Sequence, residues 1–504
     1  MHKLLSAAAS WPEKLPERLR PFRLPFFSAL LAGLLAHGFA FSNKLPNADE
    51  LSSLFGKGMT VGSGRWGLEL SKYLFPSIST PWIYGLLSLV LLSAAACLMV
   101  RIFRIRSPLL IAVLSGLLTV FPAQTATFSY MFTAPSYALA LLLVFASVRF
   151  SQRETLTGWL LSLALLLLGI SIYQAYIAFA SSFFVILMLQ KLLRGEGSAK
   201  EIFLFGLKRL ALLACALLLY LGSIPIALRF YSGDFVDYGV EQENSVFFRA
   251  LVAYSSFLHT LTRDYFDYVH GGFSRAMHVL ALLPAAYVSL RWLFRCRDWG
   301  KILLFLLCLL LLPLSMYCIY LIAQTGIIHT MVLYSFVSLY VFAAVAAEEL
   351  GGEAAPLLRQ LVALSLALVA AGNVFYANAF YLKLHLRYEH SYALYTGIAA
   401  QVRQTPGFDE NTKLAILGEA ETGLYTMPEM EDYDLIWPAD DLTNAYTREY
   451  FVERYVGFDV LFADWKEKLA LNEDPRVQEM PIYPAYGSVQ MIDDFLVVRL
   501  GEWS

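Results

Sequence analysis

The sequence predicts a polytopic α-helical membrane protein that ends in a small mixed α/β domain. Of its 504 residues, 58% are hydrophobic and only 15% are charged, and the mean hydropathy is +0.57. Apolar stretches of at least about 18 residues, the length that crosses roughly 30 Å of hydrocarbon, recur up to residue 381. After residue 382 charged residues, Pro and Asn become frequent, and no comparable stretch follows.

Eleven apolar segments predict about eleven transmembrane helices. They lie at residues 24–42, 82–100, 108–124, 131–148, 156–170, 173–190, 203–228, 276–294, 302–323, 329–347 and 360–381. The fifth and sixth form one apolar block, Trp159 to Leu193, in which Gly169 and Ser171 indicate a turn. A single helix there would give ten spans and move the C-terminus to the other side of the membrane.

The distribution of Lys and Arg predicts the orientation. With the N-terminus inside, the inner segments hold twenty Lys and Arg, and the outer segments before residue 376 hold eight. Because cytoplasmic loops carry the excess of positive charge, we expect a cytoplasmic N-terminus and an extracytoplasmic C-terminus. The N-terminus lacks the features of a cleaved signal peptide, so the first span is expected to remain as an anchor.

This organisation divides the chain into a transmembrane domain, 1–382, and an extracytoplasmic domain, 383–504. The transmembrane domain has two large outer loops, 43–81 and 229–275. In the first loop, Asp49–Lys57 and Arg65–Tyr73 predict short helices on the membrane surface. In the C-terminal domain, short strands are predicted at Lys413–Leu417 and Phe495–Leu500, and an acidic group is interpreted as solvated surface: Glu429, Glu431, Asp432 and Asp434.

Composition also argues against several classes of function. The formal net charge of −2 gives no positive footprint for nucleic acid. Neither the five cysteines nor the histidines have metal-ligand spacing, so we expect no metal and no cofactor. No charged residue lies in the middle of a predicted span, which weakens the case for an ion-coupled transporter.

An acidic pair, Asp49 and Glu50, follows the first span and is the first candidate for chemistry. A carboxylate within hydrogen-bond reach of a hydroxyl can remove its proton as the hydroxyl attacks. The alternative is structural, with Asp49 capping the helix that follows and Glu50 in its first turn. The two interpretations are compatible, since Glu50 can act while Asp49 caps.

The glycine-rich segment Gly56 to Gly67 carries Arg65 and Trp66. Glycines let backbone amides converge on an anion, and Arg65 can add a bidentate contact to phosphate. The Gly-Lys-Ser/Thr ending of a nucleotide P-loop is absent. The alternative is a flexible loop with an interfacial Arg and Trp.

Polar and aromatic groups at other predicted outer turns are candidates for substrate binding. Tyr130 and Tyr137 lie between spans three and four, and Tyr173 and Gln174 lie between spans five and six. The alternative for these aromatic residues is the interfacial aromatic belt. Three further candidates, each of which can instead be interfacial or structural, are Arg229 for a lipid phosphate and Arg263 and His329 for substrate.

The order of these features resembles the GT-C superfamily of integral-membrane glycosyltransferases, and more narrowly the Gtr type II glucosyltransferases, whose O-antigen members change bacterial serotype. The resemblance covers about the first 380 residues. It is carried by the acidic pair, Gly64-Arg65-Trp66, the stretch FSYMFTAPSY (128–137) and SIYQAY (171–176). Many members have Asp-Asp where this sequence has Asp49-Glu50, which leaves open which residue is the base.

The resemblance implies an inverting transfer of a sugar, typically glucose, from a polyprenyl-phosphate donor to a cell-envelope glycan such as O-antigen. It implies a bacterial inner-membrane protein acting at the outer face, with membrane lipid around it and no nucleotide sugar. Asp49 or Glu50 would be the base, and Arg65 or Arg229 would stabilise the departing phosphate. The alternatives are a flippase or exporter of lipid-linked saccharide, and an O-antigen polymerase or ligase.

Overall fold

The computed structural model describes residues 20–231, 245–264, 271–322, 329–352, 355–420, 442, 444–445 and 447–502. Contacts between residues divide the chain into two units. The first unit comprises Met1–Asn43 and Met59–Asn378, and the second comprises Lys44–Gly58 and Ala379–Ser504. The start of the first predicted outer loop therefore belongs with the C-terminal part of the chain.

Helices dominate the described residues. In chain order they are α1 (Arg23–Ser42), α2 (Ala48–Ser53), α3 (Trp66–Leu70), α4 (Pro81–Phe103), α5 (Pro108–Val120), α6 (Pro122–Ser129), α7 (Ala134–Ser151), α8 (Leu156–Ile172), α9 (Ile177–Arg194), α10 (Ala199–Phe230), α11 (Val246–His259), α12 (Gly271–Arg295), α13 (Trp299–Met316), α14 (Ile319–Ile322), α15 (Ser338–Glu349), α16 (Ala355–Gln404), α17 (Arg448–Phe451), α18 (Trp465–Glu473) and α19 (Pro475–Gln478). Short 3₁₀ helices lie at Arg20–Phe22, Val61–Ser63, Ser71–Tyr73, Gln174–Tyr176 and Thr330–Val337. Thr260–Asp264 and Val452–Val456 are π-helical turns.

The predicted polytopic α-helical architecture is confirmed. Within the described ranges, ten helical segments are long and apolar enough to cross a membrane, and the 17-residue α8 adds a shorter apolar helix. The apolar block around Gly169 is indeed two helices. Tyr173 separates them because its backbone is extended, with φ −148° and ψ 105°, and Gln174–Tyr176 then starts the next helical segment.

Two helices differ from the predicted spans. The segment predicted at 108–124 is broken into α5 and α6, because Phe121 is extended in front of Pro122, as the proline ring favours. The last predicted span, 360–381, is part of the 50-residue α16. This helix continues to Gln404 because a second apolar stripe, including Tyr395, Ile398 and Val402, packs into the core of the second unit.

The second unit contains a three-stranded sheet with the order β1-β3-β2, formed by β1 (Lys413–Leu417), β2 (Val489–Ile492) and β3 (Phe495–Arg499). Strand β1 pairs with β3 in parallel, and β2 pairs with β3 in antiparallel. Alternate residues of β1 face opposite sides, so Leu414 and Ile416 pack with the end of α16, while Ala415 and Leu417 pack with α18 and α19. The predicted strands are confirmed, but β2 was missed because its four residues are too few to show alternation.

Candidate active site

The acidic pair lies on α2, in the second unit. Asn47 caps this helix, since its side-chain oxygen accepts a hydrogen bond from the Glu50 amide at 2.8 Å. The interpretation of Asp49 as the cap is therefore wrong, because the helix begins at Ala48 and Asn47 is already in place. Both carboxylates stand in the first turn, where the positive end of the helix dipole stabilises negative charge.

The two carboxylates have different surroundings. Asp49 is exposed, whereas Glu50 is fully buried. The Glu50 Oε1 atom accepts a hydrogen bond from Lys44 Nζ at 2.6 Å, and the Lys44 side chain remains 25% exposed. Burial and the negative charge of Glu50 both raise the pKa of Tyr455, so this neighbouring phenol stays protonated. Glu50 is thus already committed to a buried ion pair.

Arg454, from the π-helical turn Val452–Val456, holds the other end of α2. Its Nη1 atom donates to the carbonyl of Leu51 and to that of Ser52, the latter at 3.1 Å. Its guanidinium also lies 4.7 Å from the centre of the Tyr450 ring. Sequence reasoning did not find Arg454, because 402 positions separate it from Ser52 and neither residue lies in a recognisable motif.

A second group of predicted residues meets in the first unit, and we call it the Arg65 cluster: Arg65, Tyr137, Tyr173 and Gln174. Arg65 Nη1 donates to the Tyr137 hydroxyl at 3.1 Å, and its guanidinium lies 5.8 Å from the centre of the Tyr173 ring. The rings of Tyr137 and Tyr173 stack at 4.2 Å. Gln174 Nε2 donates to the carbonyl of Ser63 at 2.8 Å and fixes the loop that carries Arg65.

Glycines bring that loop close to the ends of α8 and α10. Gly64 has a φ of +76°, a conformation that favours glycine, and its carbonyl accepts from the Tyr220 hydroxyl at 3.1 Å. A Cβ on Gly67 would lie 2.2 Å from Ser171 Oγ. Trp66 Nε1 donates to Ser223 Oγ at 2.8 Å, so this side chain is bound to α10. The Gly-Arg-Trp segment is therefore held in place by contacts with α8 and α10.

Three other predicted residues, Tyr130, His329 and Arg229, lie elsewhere in the first unit. The Tyr130 hydroxyl lies 3.2 Å from His329 Nε2, and His329 Nδ1 caps the helix Thr330–Val337. Arg229 is exposed in the last turn of α10. The Arg263 side chain and the C-terminal acidic group fall outside the described residues. Across the described ranges, no three His, Cys, Asp or Glu side chains converge as a metal site.

These features define a class, namely multi-pass α-helical membrane proteins that carry an acidic helix and an arginine–tyrosine cluster. A family model described as glucosyl transferase GtrII matches residues 38–346, more than half of the chain and both of these features. The chain belongs to the GtrII glucosyl transferase family, as the resemblance predicted. No curated protein and no solved structure matches it.

Proposed function

We propose that the protein transfers a sugar, with glucose as the first choice, from a polyprenyl-phosphate donor to a cell-envelope glycan such as O-antigen. The observation that carries this proposal is the match of the GtrII glucosyl transferase family to residues 38–346. We place the reaction at the outer face of the bacterial inner membrane, with the N-terminus cytoplasmic and the C-terminal domain extracytoplasmic, because the Lys and Arg distribution favours that orientation.

In this proposal Asp49 is the general base and Glu50 positions it. A base needs an oxygen that the acceptor hydroxyl can approach, and the Asp49 side chain is exposed. Glu50 is buried and paired with Lys44, and its amide is bonded to Asn47, so it fixes the first turn of α2. The acceptor oxygen then bonds to the anomeric carbon, its proton passes to Asp49, and the bond from that carbon to the phosphate oxygen breaks with inversion.

Arg65 is proposed to bind the donor phosphate, where negative charge develops as the bond breaks. Its guanidinium is half-buried and oriented by Tyr137 and Tyr173, an arrangement that reduces its freedom before substrate binds. The exposed Arg229 is proposed as a second contact for the lipid phosphate. The sugar and acceptor contacts are assigned to these residues: Trp66, Tyr130, Tyr137, Tyr173, Gln174, Arg263 and His329.

The test is sugar transfer in proteoliposomes that contain radiolabelled polyprenyl-phosphate glucose and cell-envelope glycan. Wild type is compared with Asp49→Asn, Glu50→Gln and Arg65→Lys, and with Glu473→Gln, which removes an exposed carboxylate from the same unit. We expect Asp49→Asn to lower kcat by about 10²- to 10⁴-fold, the usual contribution of a general base. Arg65→Lys keeps the charge but loses the planar fork, so transfer should also fall. Glu473→Gln should transfer at the wild-type rate.

The outcomes separate the alternatives. Loss of transfer in folded Glu50→Gln with normal transfer by Asp49→Asn would exchange the two roles. Transfer of an oligosaccharide in place of a single sugar would favour the polymerase or ligase. Movement of the lipid-linked sugar across the bilayer without transfer would favour the flippase and overturn the proposal.

A further inference from the structure

Four arginines gather where α4 and α7 end, and none of them has a role in the proposed reaction. Arg101 lies in the last turn of α4 and Arg104 is its C-cap; Arg149 lies in the last turn of α7 and Arg153 follows it. Gln152, which follows α7, donates from Nε2 to the carbonyl of Ile102 in α4 at 3.3 Å, so the two helix ends and their arginines lie side by side. We call this group the arginine patch.

Within the described part of the chain, no ion pair joins a carboxylate to an arginine of the patch. Arg101 lies 5.3 Å from the centre of the Phe22 ring, and Arg149 donates to the amide oxygen of Gln152 at 3.4 Å. Arg101, Arg104 and Arg153 are exposed, and Arg149 is half-buried. The positive charges of neighbouring guanidinium groups repel one another, and a bound anion reduces this repulsion.

Three nearby carboxylates are paired with other cations, and a fourth, Glu348, accepts a hydrogen bond from the Ser107 amide at 2.7 Å. Glu154 lies 3.7 Å from Arg209, and Glu349 lies 2.6 Å from Arg194. Glu196 lies within 3.7 Å of Arg194 and 3.6 Å of Lys191. The ion pairs of Glu154, Glu196 and Glu349 are therefore made with Arg209, Arg194 and Lys191, outside the arginine patch.

A cavity of about 270 Å³ opens beside Arg104, which is the one patch arginine in its wall. Its other charged lining residues are Lys191, Arg194, Glu154 and Glu196. Two amides in its wall already bond the last carbonyls of α4: Gln152 Nε2 donates to Ile102 O at 3.3 Å, and Gln190 Nε2 donates to Phe103 O at 2.7 Å. The Arg104 guanidinium is therefore not needed to cap α4. It lines a concave site at the end of a membrane helix, with room for a phosphate group. The two carboxylates in the wall are paired with Lys191, Arg194 and Arg209.

We propose that the arginine patch and this cavity bind the headgroup of an anionic phospholipid, with the two-phosphate headgroup of cardiolipin the best match in charge. Guanidinium groups bind phosphate oxygens in bidentate geometry, and basic pockets between membrane helices are suited to such headgroups. The ends of α4 and α7 lie at the depth of lipid headgroups if both helices span the bilayer. The positive-inside rule assigns this end to the cytoplasmic leaflet.

The test is lipid binding by the purified full chain in detergent, measured by native mass spectrometry and by the shift in Tm on adding cardiolipin, phosphatidylcholine or inorganic phosphate. The test variant combines Arg101→Gln, Arg104→Gln and Arg153→Gln. A control removes the same charge elsewhere on the predicted inner side through three arginine-to-glutamine changes at Arg291, Arg295 and Arg297. A second variant replaces the three patch arginines by lysine and keeps the charge.

We expect cardiolipin to bind wild type more tightly than phosphatidylcholine and to raise its Tm. Each patch arginine removed should weaken binding roughly fivefold, so the triple glutamine variant should lose about two orders of magnitude. The control should bind as wild type does, and the lysine variant should retain most of the affinity. Equal loss in the control would indicate a general effect of surface charge and overturn the proposal. An equal Tm rise with inorganic phosphate would assign the site to a free anion instead of a lipid.

Discussion

Replacing Lys44 by Met is expected to destabilise α2, because it removes the ammonium group that pairs with the buried carboxylate of Glu50. The Glu50 side chain is 1% exposed, and the Lys44 ammonium lies 2.6 Å from its Oε1 atom. Removing one partner of a buried ion pair costs about 3–5 kcal/mol. Because Lys44 is 25% exposed, part of this interaction is screened by solvent, and we expect a loss of about 2–3 kcal/mol.

A double-mutant cycle on Lys44 and Glu50 tests the ion pair more directly, because the sign of the coupling energy is also predicted. Glu50→Gln removes the buried charge and leaves an ammonium that still reaches water, so this change should cost about 1 kcal/mol. The double variant, Lys44→Met with Glu50→Gln, should be more stable than Lys44→Met alone. The coupling in this double-mutant cycle is expected to be about 1–2 kcal/mol.

Hydrogen exchange of the full-length protein, read from peptides that cover α2, measures the local opening directly. A loss of about 2–3 kcal/mol corresponds to exchange about 30- to 150-fold faster. Asp49→Asn, on the exposed side of the same turn, serves as the matched control. It should change the free energy of opening α2 by less than about 1 kcal/mol. Strictly additive effects, with the double variant the least stable, would refute the ion pair as the source of the stability of α2.

Three further predictions concern the second unit and the loop of the Arg65 cluster. Arg454→Gln removes charged donors from the carbonyls of Leu51 and Ser52. The free energy of opening α2 should therefore fall by about 1–2 kcal/mol, while the amides of β3 stay protected from exchange. Burial lowers the pKa of Lys57 to about 8 from 10.5, so charging it destabilises the folded state fully below pH 8 and not above 10.5. The difference in Tm between Lys57→Met and wild type should therefore shift in favour of wild type as pH rises from 7 to 10; a constant difference would contradict the burial of the ammonium. Gly67→Ala places a Cβ 2.9 Å from the Ile172 amide nitrogen, so it should lower Tm and alter Trp66 fluorescence. The control, Gly38→Ala, adds a Cβ with nothing within 4 Å. It should leave the fluorescence unchanged and leave Tm unchanged or slightly raised.

The parts of the fold that depend on short-range pattern were predictable from sequence. Membrane helices are long and uniformly apolar, so their existence follows from composition, and Gly169 with Ser171 indicated the turn before Tyr173. The end of α16 was not predictable by the same criterion. Beyond residue 382 its polar residues resemble a loop on average, while Tyr395, Ile398 and Val402 keep helical spacing toward a core formed by distant strands.

The candidate site shows the same limit. The sequence indicated α2, Arg65 and the tyrosines of the predicted outer turns, since each lies in a local pattern of charge, glycine or aromatic residues. It did not separate Asp49 from Glu50, because adjacent carboxylates are equivalent until tertiary contacts bury one of them. The structural alternative placed the cap at Asp49, although Asn47 was an equally good cap by residue type.

The contacts of Glu50 explain why glutamate suits the second position of the acidic pair. The Glu50 carboxylate reaches Lys44 while its amide is bonded to the Asn47 side chain, so the same residue closes the first turn from the backbone and from the side chain. An aspartate is one methylene shorter and would place its carboxylate farther from the Lys44 ammonium. If Asp49 is the base, the length of the residue after it sets how firmly that base is held. Glu50→Asp should then lower transfer less than Asp49→Asn does, while weakening the protection of α2 against exchange.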